Sequence, residues 1–136
     1  MQAVALQFVA PRAVELKEIK LPPRVSGDVL ARTLYSGISA GTEMLAYRGE
    51  IDPNLSLDES LGSLSGTFAY PFSYGYSCVA RVEESDDLAA GTLVFAFHPH
   101  QDRLLVDRND VVVVEGVDPR LASLFPLVET ALQISL

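Results

Sequence analysis

Eight side chains in this sequence have the chemistry to do work on a small molecule. Tyr76 and Ser77 follow a glycine turn in the stretch Pro71-Phe-Ser-Tyr-Gly75-Tyr76-Ser77-Cys78-Val-Ala-Arg-Val82. A phenol there can hydrogen-bond a carbonyl or alkoxide oxygen and supply a proton. His98 and His100 flank Pro99 at the end of an apolar run, and imidazole titrates near neutral pH. Ser39, Thr42 and Glu43 sit in the glycine-bearing stretch Ser36-Gly37-Ile38-Ser39-Ala40-Gly41-Thr42-Glu43. Glu129 lies between Val128 and Thr130 near the end of the chain. Each has a plain structural alternative. A tyrosine can be core with a satisfied hydroxyl, a histidine can bond local backbone, and Thr42 and Glu43 can simply cap a helix. The lone Cys78, opening an apolar strand, reads as core.

The elements that must carry these groups are mostly strands. Gln2 to Val9 and Val14 to Ile19 alternate around Pro11-Arg12 and predict an opening hairpin. Val29 to Tyr35, the run from after Gly75 to about Glu84, Gly91 to Phe97, Arg103 to Val106 and Val111 to Val114 read as further short strands. If strand geometry continued past Phe97, His98 and His100 would face the same side. Thr42 is the expected N-cap of a short helix through Arg48, closed by Gly49. Glu50 to Thr67 is polar and weakly periodic, so it reads as a long surface loop. Asp118 and Pro119 form an N-cap and N1 pair ahead of a short helix over Leu121 to Phe125. Leu127 to Leu136 has apolar residues at helical spacing. Many short strands with turn signals between them predict a mainly β sandwich or barrel.

Composition limits the partners. Eighteen acidic residues against ten basic ones give a formal charge of -8, and there is no basic run. Nucleic acid and anionic membranes are poor partners for such a surface. No apolar run reaches the ~20 residues of a membrane helix. One cysteine allows neither an internal disulfide nor a cysteine-rich zinc site, and a reducing cytoplasmic setting is expected. At 136 residues the chain suits one domain with its own core.

Four segments in order resemble the medium-chain dehydrogenase/reductase family, the zinc-type alcohol dehydrogenases, over their N-terminal GroES-like catalytic domain. Ser36 to Glu43 is similar to that family's Gly-x-Cys-Gly-Thr-Asp loop. Pro71 to Val82 matches its Pro-x-x-x-Gly-His-Glu-x-x-Gly-x-Val pattern at Pro71, Gly75 and Val82. Gly91-Thr-Leu-Val94 resembles its Gly-Asp-x-Val turn, and Val117 to Leu132 resembles the run leading into its nucleotide-binding domain. The Ser-Gly-Ile-Ser-x-Gly-Thr-Glu form of the first loop is similar to a subset that includes bacteriochlorophyllide dehydrogenases. The resemblance implies a partly open GroES-like β-barrel over residues 1–126. It also implies, over 127–136, the start of a helix leading into a Rossmann domain that is missing here.

The resemblance further implies an NAD(P)-dependent oxidoreductase acting on an alcohol or carbonyl, truncated before its cofactor domain and inactive as the isolated chain. No Gly-x-Gly-x-x-Gly follows a strand, so no cofactor-binding residue is expected in these residues. The family's zinc ligands do not carry over. Its cysteine falls on Ser39 or Ala40, and its His-Glu pair on Tyr76-Ser77, none of them usual zinc ligands. Zinc is therefore not expected, although His98, His100 and Glu129 are ligand types that would suit a noncanonical site. Tyr76, His98, His100 and Glu129 are the expected catalytic groups, with Ser39, Thr42, Glu43 and Ser77 in the substrate pocket. The resemblance implies a small-molecule substrate and a homodimer at full length. The competing expectation is a GroES-like module that binds or assembles without chemistry.

Overall fold

The computed structural model describes residues 1–135. Two sheets make the body. β1 (Gln2–Ala10) and β2 (Ala13–Lys20) form the expected antiparallel hairpin. β3 (Asp28–Ser36), β4 (Cys78–Glu84), β5 (Leu93–Ala96), β6 (Arg103–Asp107) and β7 (Val111–Val113) form a curled antiparallel sheet in the order β6-β3-β4-β5-β7. The hairpin completes a partly open barrel. Ala5 bridges Gln101, and Phe8 and Phe72 exchange backbone hydrogen bonds at 2.9 and 3.0 Å.

β4 is the central strand and is apolar on both sides. Cys78, Ala80 and Val82 pack with Val29, Ala31 and Leu104, while Val79 points the other way onto Phe95 and Ala122. β5 is shorter than the run Gly91 to Phe97 that predicted it, but Val94, Phe95 and Ala96 are all buried, as a strand covered on two faces should be. β2 departs from expectation. Its alternation is present, yet Leu16 is 72% exposed and Val14 is exposed as well: β2 pairs only with β1, and none of its residues is fully buried.

Three helices follow the predicted order. α1 (Thr42–Arg48) ends at Gly49, whose φ of 74° is the left-handed conformation of a C-cap. Its other end corrects the sequence reading. Gly41, not Thr42, is the N-cap residue, and no side chain caps the helix, because the Glu43 carboxylate turns back to the Ser39 backbone instead. α2 (Pro119–Ala122) has Asp118 as N-cap, its carboxylate accepting from the Arg120 N–H at 2.8 Å, with Pro119 at N1. α3 (Phe125–Ser135) starts earlier than expected and buries no residue fully. Among the described residues, no helix is long and apolar enough to cross a membrane.

Residues 50–77 contain no helix or strand, but they are not merely a surface loop. Leu57, Leu64, Phe68, Phe72 and Tyr74 are buried with Phe8 and Ala46 in a second, aromatic core. Phe8 stacks on Phe72 with centroids 5.1 Å apart, and Phe68 meets Phe72 edge-on at 5.5 Å. This core anchors the chain immediately ahead of Gly75 and Tyr76.

Candidate functional site

The turn at Gly75 is forced by what lies beneath it. Its φ is +149°, and a Cβ there would stand 2.8 Å from His100 Nε2. Only glycine lets the backbone cross the imidazole face so closely. Having crossed it, the chain presents Tyr76 outward, half-buried and edge-on to Tyr74 at 6.2 Å. Burial pushes the Tyr74 phenol up to about 12, so that neighbour stays neutral.

Tyr76 stands between two adjoining cavities. The first, of about 480 Å³, lies between the loop Gly37 to Thr42, the Tyr76–Ser77 pair and the segment Ser123 to Leu127. The second, of about 390 Å³, lies between Asp58 to Leu61, Phe97 and α3, with Glu129 in its wall. Tyr76, Pro126 and Leu127 line both. The structure thus brings Tyr76 together with Glu129 on one side, and with Ser39, Thr42 and Ser77 on the other. Neither cavity has a Lys, Arg or His among its lining residues.

Ser77 is committed to the framework. Its Oγ donates to the Ser123 carbonyl at 2.5 Å, and its own carbonyl accepts from the Gly37 N–H at 2.8 Å. A Cβ on Gly37 would lie 3.1 Å from Ser123 O and 3.2 Å from Ser77 Oγ, so the loop, β4 and the α2–α3 junction meet here with no space to spare. The stitching draws the Gly37 to Thr42 loop and the start of α3 into opposite walls of one cleft.

The two histidines are placed elsewhere. β5 stops at Ala96, so strand alternation does not govern them. His98 is buried and its Nδ1 donates to the Pro99 carbonyl at 2.9 Å. Burial holds its pKa below the ordinary histidine value, against the raising effect of that hydrogen bond. His100 is buried between two groups of remote sequence. Its Nε2 meets Glu43 Oε1, and its Nδ1 meets Ser36 Oγ. A carboxylate only accepts, so Nε2 carries hydrogen and donates to Glu43, while Ser36 Oγ also reaches the Ser77 carbonyl at 3.4 Å. Glu43 is fully buried, and its Oε2 accepts the Ser39 N–H at 2.5 Å. Glu43 is therefore a buried hydrogen-bond partner of His100 and the Ser39 loop rather than a capping group. His100 and Glu43 also line a third hollow, of about 190 Å³, with Leu6, Phe8, Met44 and Tyr47.

Sequence reasoning missed Ser36. It closes β3 at the head of the Ser36 to Glu43 stretch, and barrel closure, which brings residue 100 over the end of β3, gives it His100 as a partner.

The donor set does not fit the zinc of the resembling family. Among the described residues, no three His, Cys, Asp or Glu side chains come together. Ser39 and Ala40 lie on one wall of the cleft and Tyr76 with Ser77 between its walls, where the family's ligands would fall. His98, His100 and Glu129 are not brought together either.

No family model matches the sequence. The chain is 31% identical over 85 residues to 2-desacetyl-2-hydroxyethyl bacteriochlorophyllide A dehydrogenase of Cereibacter sphaeroides, a match covering 62% of this chain and 23% of that protein. Its fold matches S. aureus TarJ in complex with NADPH, with a TM-score of 0.67 and 24% identity over 90% of this chain and 37% of that one. The human synaptic vesicle membrane protein VAT-1 homolog-like protein matches with a TM-score of 0.66 and 16% identity, over 93% and 40%. A zinc-binding dehydrogenase from Sinorhizobium meliloti bound to NADP matches at 0.61 and 14%, over 91% and 42%. The chain spans less than half the length of each of these relatives, and at such identities the structural matches speak for the fold. On sequence over 85 residues and on fold over nine-tenths of the chain, its resemblance to the N-terminal, GroES-like domain of the medium-chain dehydrogenase/reductase family is borne out.

Proposed function

We propose that this domain is the substrate side of an NAD(P)-dependent, zinc-free oxidoreductase acting on an alcohol or carbonyl compound. The observation that carries the reading is Tyr76, a phenol shared by two adjoining cavities on the face where α3 leaves the barrel. On this reading the cofactor belongs to a nucleotide-binding fold of the kind the NADPH-bound and NADP-bound relatives carry, and the residues described here serve the substrate. When bound, a nicotinamide supplies the hydride. The residues of this domain do the rest. Tyr76 hydrogen-bonds the substrate oxygen and gives it a proton during reduction, or takes one during oxidation. Leu124, Pro126 and Leu127 give the first cavity an apolar wall. Glu129, exposed at the mouth of the second cavity, exchanges protons with solvent.

The zinc-free reading is supported by the residues present, since hydroxyls stand where the family's ligands would fall. The test is the product of the full reading frame, treated with chelator and mixed with NADPH and a panel of aldehydes and ketones. NADPH consumption that survives chelation supports the reading, and consumption that returns only with added zinc contradicts it.

A second reading, a binding or assembly module without chemistry, is favoured by one observation. α3 exposes Leu127, Val128, Leu132 and Ile134, the last by 81%. That reading predicts no NADPH consumption with any carbonyl.

A further inference from the structure

A series of buried contacts stands behind the cleft loop. Ser36 holds His100, His100 holds Glu43, and Glu43 holds the Ser39 backbone N–H. The carboxylate grips Ser39 by its main chain and leaves the side chain untouched. Ser39 Oγ is shielded from solvent and has no hydrogen-bond partner, the one such side-chain nitrogen or oxygen among the described residues. A buried hydroxyl without a partner opposes folding, and native proteins retain few such groups. Where one persists in the wall of a cavity, a ligand atom is the natural partner.

The surroundings of Ser39 say what that ligand is. Ser39 lies in the wall of the 480 Å³ cavity with Thr42 and Tyr76. The nearby Ser77 hydroxyl is already given to Ser123 O. Ile38, Ala40, Leu124, Pro126 and Leu127 make up most of the remaining wall, and no charged side chain is part of it. An anionic ligand would find no cation there to meet it.

We propose that Ser39 donates a hydrogen bond to the oxygen of a neutral, largely apolar carbonyl or alcohol ligand in this cleft. This rests on the reading of the cleft as a substrate site. It adds the ligand class and a second group, beside Tyr76, that binds the reacting oxygen.

The experiment uses the purified chain with cyclohexanone as the reporter ligand, followed through the backbone amide signals of Thr42 and Tyr76. Two opposite changes are expected from Ser39→Ala. The melting temperature rises by about 3–5 °C, because an unpaired buried hydroxyl is removed. Cyclohexanone binds roughly fivefold to tenfold more weakly, the loss of one hydrogen bond. Cyclohexanecarboxylate, of similar shape but anionic, does not bind. Equal cyclohexanone affinity in both proteins overturns the role of Ser39 while leaving the cleft as a substrate site. A fall in melting temperature also overturns it, since the hydroxyl would then be structurally paired. Binding of the carboxylate as tight as that of the ketone overturns the ligand class. Failure of cyclohexanone to shift either amide in the unsubstituted chain overturns both this assignment and the reading of the cleft.

Discussion

Replacing His100 with alanine should damage this domain more than any surface change, and the reason is electrostatic. Glu43 is fully buried, with two partners, His100 Nε2 and the Ser39 N–H. Leaving a buried carboxylate short of a hydrogen-bond donor costs about 1–3 kcal/mol, and more for a charged group. The Ser39 N–H remains as its other partner, so a loss of about 2–3 kcal/mol is expected. The converse change, Glu43→Ala, leaves an imidazole that still has Ser36, and the cost is that of one unmet buried donor, about 1–3 kcal/mol. The double variant removes both groups and leaves neither without its partner. It should therefore fall short of the sum of the single losses by roughly 1–3 kcal/mol. Urea unfolding with linear extrapolation reads all four stabilities of the cycle. A His100→Ala loss below about 1 kcal/mol, or additivity within about 0.5 kcal/mol, would refute the buried pair as drawn.

Three further outcomes follow from the same packing. Gly75→Ala forces a Cβ into the His100 ring at 2.8 Å and a strained backbone at φ +149°, so it should cost at least about 2 kcal/mol in the same urea assay, and a neutral result would contradict the close approach. His98 has a folded pKa held below the unfolded 6.5 by burial. Its contribution is fully present above pH 6.5 and is lost as pH falls through the folded value, so His98→Asn should flatten the decline in stability below pH 6.5. Cys78 is buried with its thiol pushed up to about 11, so at pH 8 only about one molecule in a thousand carries the thiolate. Native protein should resist a thiol reagent that labels the urea-unfolded chain at once; rapid labelling of the native form would show that β4 opens.

The strands were legible because alternation and β-branched runs are local signals. So were α1, bounded by Gly49, and α2, opened by Asp118 and Pro119. Other features were not local. Leu57, Leu64 and Phe68 are isolated apolar residues at irregular spacing, and nothing short of the tertiary fold shows that they fill one aromatic core. Gly75 announced a turn, but not that the ring of His100 would press against it. Glu43 and His100 are 57 residues apart, and Ser36 and His100 are 64 apart. Their meeting depends on β1 drawing residue 100 inward, through the Leu6 N–H to the His100 carbonyl at 2.9 Å. The residue types suggested chemistry at His100; the geometry surrounds it with Ser36, Glu43 and Gly75 and makes it a support for the Ser39 loop. Tyr76, Ser39, Thr42 and Glu129 were singled out by residue type and resemblance, and each lies in the wall of one or both of the adjoining cavities.

The most direct test of the proposed function is Tyr76→Phe in the product of the full reading frame, measured by NADPH consumption with the carbonyl compound it reduces best. The variant keeps the ring against Tyr74 and deletes only the phenolic proton donor. The account predicts kcat lower by about 100-fold or more, with KM changed little and melting temperature unchanged. Undiminished kcat in a correctly folded variant would contradict it.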